Sequence, residues 1–468
     1  MQDHIFRAYD IRGIVDSELL ISEVYTLARA IAFYCIEKNP YVKTIAVGMD
    51  GRIHSLLIKD EIVRAFLDSG LDVIFVGQCT TPVLYFSSYW LPVQAGMMVT
   101  ASHNPKEYNG IKIVLGKKSV AQDEILRIRD YYKTKKQHLS VSRGSVHEYD
   151  LVSEYTAYLV RLFPHLSGFK HPIIFDCANS VAALVIPKLI QALGFKKAEL
   201  LYDTLDGTYP NHNPDPSTEK NIKVLREKVL QQDALCGIAF DGDADRMGVV
   251  TRKGTFVAGD KLLAFLSEPV VKACSGAGVV YDGKCSSGLK ELIERWGGVP
   301  CISPTGHSFI KQTIEREGAL VAGELSCHFF FKDRYFGFDD GIYAALRLCE
   351  RLQDQTVSLF DDFLDAFPHR VASPELRIAC PLLQGPVIVN AARLFFEQQE
   401  GVQLSTLDGV RVEKKYGWGM LRASQTESVI CMRLESFSKE GLEVLKEDFR
   451  KALMGSYPLE FLNQVLSW

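Results

Sequence analysis

The sequence predicts an α/β protein: three similar α/β domains with mixed sheets, then a smaller C-terminal α+β domain. Three observations carry this prediction. Short apolar, β-rich runs alternate with amphipathic stretches of helical period from the N-terminus to about residue 350. Three of those runs end alike, in an aspartate followed by small or polar residues. The last hundred or so residues break the pattern, with closely spaced strand-like runs and a late helix.

The repeat can be followed element by element. TIAVGMD ends at Asp50, HPIIFDCAN passes Asp176, and GVVYDGKC passes Asp282. Each opens into a helical stretch that closes near a glycine: Gly70, Gly194 and Gly297. Glycine suits the left-handed cap of a helix, and the next strand starts at once. A further strand in each unit then leads into a polar loop: VTASHNP, AFDGDADR and VAGELSCH. In sheets with parallel strands, ligands gather at the strands' carboxyl ends, so these three loops are the first candidates for chemistry. The final stretch contains YGWGMLRASQTES between strand-like VRVEKK and SVICMRLES, then helical EGLEVLKEDFRKAL. Domain boundaries are placed near residues 147, 255 and 367, giving domains 1–147, 148–255, 256–367 and 368–468.

Composition narrows the function classes. The 468 residues are 47% hydrophobic and 24% charged, the balance of a globular protein. A net charge of −4 does not advertise nucleic-acid binding, which usually needs a basic face, and leaves room for a local basic pocket. Eleven cysteines without a C-x-x-C pair read as reduced thiols, not a zinc site. No apolar stretch approaches the length of a membrane span, and the charged N-terminus lacks a signal core. A cytoplasmic protein with no nucleic-acid or membrane partner is expected. A monomer is slightly favoured over an oligomer.

In DGDADR, Asp241, Asp243 and Asp245 alternate between two apolar runs. Unpaired acids there are costly to bury, and three carboxylates on a curved loop suit a hard divalent cation. An EF-hand would need glycine and glutamate where Arg246 and Arg252 stand. In VTASHNPKEYNGIK, Ser102 follows a strand. Taken alone it reads as a helix N-cap; with His103, Asn104 and Lys112 nearby it reads as a phosphoryl carrier. GIKIVLGKK is not a P-loop: it has a residue too many between Gly110 and Gly116, and Lys118 where Ser/Thr belongs. In GELSCH, Glu324 and Ser326 sit two apart, on one side if the segment is extended, and His328 adds a group that titrates near neutrality. PTGHSFIK brings His307 and Lys311. RASQTES, from Arg422 to Ser428, is a weak anion nest on its own. FRAYDIRG, with Tyr9 and Arg12, says little alone, and DGTYPNHNPDPS reads as a surface connection.

Taken together and in order, FRAYDIRG, TASHNP, YPNHNPDP, DGDADR, PTGHSFIK, GELSCH, FGFDDGIYAA and RASQTES resemble the α-D-phosphohexomutase superfamily, in particular its bacterial phosphomannomutase/phosphoglucomutase group. The resemblance runs nearly end to end. It implies four domains around one cleft, and a mutase interconverting hexose 1-phosphate and hexose 6-phosphate through a hexose 1,6-bisphosphate. It implies that Ser102 is the phosphoserine and that Asp241, Asp243 and Asp245 hold Mg²⁺ with a phosphoserine oxygen. Glu324, Ser326 and His328 would read the sugar; Arg422, Ser424, Gln425 and Thr426 would grip the non-transferred phosphate. Tyr9, Arg12, Lys112, Arg246, Lys284 and His307 match other cleft positions. The general base stays open among Lys112, His307, Arg12 and His328. Glucose 1,6-bisphosphate or mannose 1,6-bisphosphate would prime the enzyme. Leu325, Cys327, Gln425 and Ser428 depart from the family pattern. The rival readings are a phosphoglucosamine mutase, a silent sugar-phosphate-binding protein and a phosphatase.

Overall fold

The repeat is carried by three sheets of the same plan. In a computed structural model of the chain, residues 1–380, 384–424 and 428–468 are described. In the first repeat the strand Thr44–Met49 lies between Asp72–Gln78 and Ala95–Val99, parallel to both. In the second, Ile173–Asp176 lies between Ala198–Leu201 and Cys236–Phe240. In the third, Gly278–Asp282 lies between Val299–Ser303 and Val321–Gly323. Antiparallel strands extend the first two, Tyr108–Leu115 on Ala95–Val99 and Met247–Thr251 on Cys236–Phe240. The sheets are therefore mixed.

The repeated aspartates are turn makers. Asp50, Asp176 and Asp282 are fully buried. Each accepts the backbone N–H two residues on, from Arg52, Ala178 and Lys284 at 2.9–3.2 Å. This Asx turn satisfies the carboxylate locally and steers the chain off the strand. Helices Ser55–Asp68, Ile186–Leu193 and Ser287–Arg295 follow. Gly70, Gly194 and Gly297 then take positive φ (77°, 69° and 84°), which L side chains adopt only at a cost. Beyond each third strand one non-glycine residue is also left-handed: Ser102 (φ 50°), Ala244 (φ 60°) and Cys327 (φ 69°).

The C-terminal part is α+β. Strands Val410–Lys414, Gly417–Ala423 and Val429–Ser436 pair antiparallel. Helices Gly385–Glu397 and Lys439–Leu453 contribute Phe396 and Phe449, ring centroids 4.8 Å apart, to its core.

By packing, the chain forms two compact units: Met1–Leu266 with Ser326–Asp365, and Ser267–Leu325 with Ala366–Trp468. Among the described residues no helix is long and apolar enough to cross a membrane.

Candidate functional site

In the first unit, three strand-end features converge. Ser102 is 2% exposed. Its Oγ donates to Asp241 Oδ2 at 2.8 Å and lies 3.2 Å from His103 Nδ1. Burial, then Arg246 and Arg12, push the His103 pKa well below the usual histidine value, so the ring beside Ser102 is neutral. Thr100 Oγ1 accepts the Ser102 N–H at 2.9 Å. Arg12 donates to Asn104 Oδ1 at 2.6 Å and pairs with Asp10, which ties the N-terminal strand Ile11–Ile14 to the serine loop. Tyr9, 9% exposed, lies in the bend before that strand.

Asp241, Asp243 and Asp245 are fully buried, and one oxygen from each lies within 4.8 Å of the others. Lys112 sits among them, Nζ at 2.7 Å from Asp243 Oδ2 and 2.6 Å from Asp245 Oδ2. Thr81 Oγ1 also donates to Asp243 Oδ2, at 2.6 Å. The electrostatics show where charge is short. Burial, with Asp245 and Asp243 alongside, pushes the Asp241 carboxyl well above the ordinary range. Burial opposes ionisation of Asp245 as well, but Lys112 and then His328 hold it well below that range. Burial likewise opposes the Lys112 ammonium, and Asp243 and Asp245 outweigh it, raising its pKa far above the usual lysine value. Among the described residues, Asp243 Oδ1 is buried with no hydrogen-bond partner. A hard cation with oxygen ligands answers both the surplus negative charge and this orphaned oxygen, so the donor set fits a metal.

Arg246 and His328 close this region. The Arg246 backbone N–H donates to Asp241 Oδ1 at 3.1 Å, and its Nε lies 3.2 Å from His328 Nε2. The same His328 nitrogen is 3.2 Å from Asp245 Oδ1, and Ser326 Oγ is 3.2 Å from His328 Nδ1. The segment 206–217 is more than a surface connection. Tyr209, Pro214 and Pro216 are buried. The Tyr209 ring lies 5.2 Å from the Arg52 guanidinium, and His212 Nε2 is 3.2 Å from Asp176 Oδ2.

The second unit gathers cations. Lys284, 6% exposed, donates to Glu375 Oε1 at 2.9 Å and lies 3.7 Å from Asp282 Oδ2. Burial opposes the Lys284 charge, but Glu375 and Asp282 outweigh it. Burial also raises the Glu375 pKa, yet Lys284, then Arg377 and Arg422, carry it down to about 2. Arg422 Nε pairs with Asp408 Oδ2 at 2.9 Å, and Asp408 also accepts the Thr305 N–H at 2.9 Å. Glu324 is buried, with Oε1 accepting the Gly306 N–H at 2.6 Å. His307 opens the helix His307–Glu317, which also carries Lys311. Ser424 follows the strand Gly417–Ala423 and is half-buried. Gln425 and Thr426 lie outside the described residues.

One expectation changes. An extended GELSCH would put Glu324 and Ser326 on one side, but the strand ends at Gly323 and the chain turns at 325–326. Glu324 therefore turns to the Gly306 amide, and Ser326 lies by His328. Sequence reasoning missed Arg52, Thr81, Glu375 and Asp408. Arg52 had a signal, its place two residues after the repeated aspartate; the other three had none.

Three alike α/β modules, with one strand-end serine held on another strand-end carboxylate, form the arrangement of a phosphoryl-transfer enzyme. Comparison with known proteins agrees. Residues 3–139, 153–254 and 258–369 match the phosphoglucomutase/phosphomannomutase α/β/α domains I, II and III. A phosphomannomutase/phosphoglucomutase of Pseudomonas aeruginosa is 40% identical over 461 residues, 98% of this chain and 97% of that protein. A phosphoglucomutase of Neisseria meningitidis is 39% identical over 457 residues, 97% of each. A crystal structure of a family protein from Burkholderia thailandensis superposes with a TM-score of 0.87 at 33% identity, covering 98% of both chains. The chain belongs to the phosphoglucomutase/phosphomannomutase family, whose members transfer phosphate intramolecularly.

Proposed function

We propose that the protein interconverts the 1-phosphate and 6-phosphate of mannose, glucose or both, with Ser102 as the phosphoryl carrier. The carrying observation is the Ser102 Oγ at 2.8 Å from Asp241 Oδ2, presented by a left-handed residue. Phosphoserine gives its phosphoryl group to the substrate hydroxyl, breaking the Ser102 Oγ–P bond and forming a hexose 1,6-bisphosphate. The bisphosphate reorients, and its other phosphoryl group returns to Ser102 Oγ. Free bisphosphate primes the unphosphorylated enzyme.

Asp241, Asp243 and Asp245 would hold Mg²⁺. When bound, Mg²⁺ neutralises charge on the transferring group. Arg246, Arg12 and neutral His103 supply donors around that group. Lys112, held protonated by two carboxylates, is a poor base as it stands, and the Arg12 guanidinium is no better, which leaves His307 and His328 as candidates. Arg422 and Ser424, with Gln425 and Thr426, hold the phosphate that is not transferred. Lys284, Glu324, Ser326, His328 and Tyr9 orient the sugar. We place the four domains at residues 1–147, 148–255, 256–367 and 368–468.

The test is an assay of mannose 1-phosphate, glucose 1-phosphate and glucosamine 1-phosphate with Mg²⁺ and a bisphosphate activator. Turnover of mannose or glucose 1-phosphate is expected. Exclusive turnover of the aminosugar overturns the substrate assignment, and no turnover of any overturns the mutase.

A further inference from the structure

The Asx turn recurs three times, and the residue that closes it is different each time: Arg52, Ala178 and Lys284. Only the backbone N–H is needed. Ala178 makes the turn at 2.9 Å with a bare methyl. The Arg52 side chain is therefore not explained by the turn it sits in.

It runs instead beneath the serine loop. A guanidinium carries five N–H donors in a planar fork, and in Arg52 all are used. Nη2 donates to the carbonyls of Ser102 (2.7 Å) and Asn104 (2.6 Å). Nη1 donates to those of Pro105 (2.7 Å) and Tyr108 (3.1 Å), and Nε to Asp50 Oδ2 (3.1 Å). The side chain is fully buried, and its charge is paired by Asp50.

This clamp bears on the reacting oxygen. Ser102 sits at φ 50°, a conformation that is strained for a non-glycine residue and persists only where the surroundings over-determine it. Both of its peptide planes are held: Thr100 Oγ1 takes the N–H, and Arg52 takes the C=O. Gly242 presses on the same carbonyl, where a Cβ would come within 2.2 Å of the oxygen. With both planes fixed, the Cα–Cβ bond points toward Asp241.

We propose that Arg52 is a positioning residue for phosphoryl transfer, holding Ser102 in the strained conformer that carries Oγ to the acidic loop. This rests on Ser102 being the carrier. Lysine cannot replace it, because one ammonium with three donors cannot span four carbonyls in a plane.

The experiment compares wild type, Arg52→Lys, Thr100→Val and Ser102→Ala. The readouts are thermal unfolding, kcat and KM separately, and the rate of phosphate loading from glucose 1,6-bisphosphate by intact mass. Folded R52K is expected to lose about 10²-fold in kcat, the scale of a small misplacement of a reacting group, with KM within threefold and slowed loading. T100V, which frees the other peptide plane, shifts in the same pattern by about tenfold. R52K with kcat within threefold of wild type overturns the proposal, as does a loss that falls on KM. If R52K does not fold, T100V decides: a kcat loss at constant KM upholds the clamp, and wild-type kinetics overturn it. Failure of the carrier reading looks different, with wild-type added mass absent or retained in S102A.

Discussion

The acidic cluster of the first unit and the basic cluster of the second are opposites in charge and alike in design. Of the three acids of the first cluster, Asp243 and Asp245 share one ammonium, Lys112. Lys284 and Arg422 are each paired with a carboxylate, Glu375 and Asp408. Buried charge without a partner is expensive, so each cluster carries an internal counter-ion. That counter-ion is what an incoming ligand must displace or share. The difference lies in the sharing: in the first cluster two carboxylates share one ammonium, whereas in the second one carboxylate, Glu375, is held down by Lys284, Arg377 and Arg422 together. The first cluster, its third acid pushed toward protonation, is therefore short of positive charge, while in the second several cations converge on one carboxylate.

The largest expected effect falls on the group the first cluster serves. Ser102→Ala should lower mutase turnover by at least about 10³-fold and abolish the added phosphate seen by intact mass; substantial residual turnover would remove the carrier role. Lys112→Met tests the counter-ion. It should reduce kcat/KM by about 10²-fold while tightening Mn²⁺ binding, titrated calorimetrically, by about tenfold. Weaker Mn²⁺ binding would mean that Lys112 shapes the loop and does not compete for it.

Glu375→Gln makes the matching test in the second unit. With Lys284 released, inorganic phosphate should inhibit about threefold to tenfold more strongly and the substrate KM should fall; a rise in KM would break the parallel. Glu375 also carries a pH signature. Its folded pKa of about 2 lies below the unfolded value of about 4.3. Its stabilisation is present above about 4.3 and is lost as pH falls toward 2. The wild-type advantage in Tm over E375Q should therefore shrink below about pH 4.

The smallest effect concerns a pair outside both clusters. Burial opposes the charge on His212, but Asp176 outweighs it and raises the pKa. Stability from this pair is complete below the unfolded value of about 6.5 and declines as pH rises through the folded one. The Tm gap between wild type and His212→Gln should be largest near pH 6 and close toward pH 9; a gap that widens with pH would contradict the pairing.

The fold was legible where local chemistry repeats. An apolar run, an aspartate and a helix closed by glycine appear three times, and all three strands stand where that pattern puts them. The acids of DGDADR were legible because three charges between two apolar runs demand a partner. What stayed hidden was partnership across the chain. Nothing near Glu375 points to Lys284, and nothing near Asp50 says that Arg52 reaches the carbonyls of residues 102 to 108. GELSCH misled for a local reason: periodicity assumes an extended chain, and the strand stops at Gly323. The loop 206–217 misled because proline and asparagine signal a turn without saying whether it is covered.

Lys112 lies on the strand Tyr108–Leu115, opposite Met98 of Ala95–Val99. That hairpin joins the two ends of the serine loop. A slip of one residue in its register would turn Lys112 to the other face of the sheet. The acidic loop would then meet an apolar side chain, and Asp243 and Asp245 would lose the ammonium they share. A first module with the wrong register thus cannot dock on the second without a heavy penalty. The same ammonium that bridges two acids in the site ties the register of one module's hairpin to the acidic loop of the next.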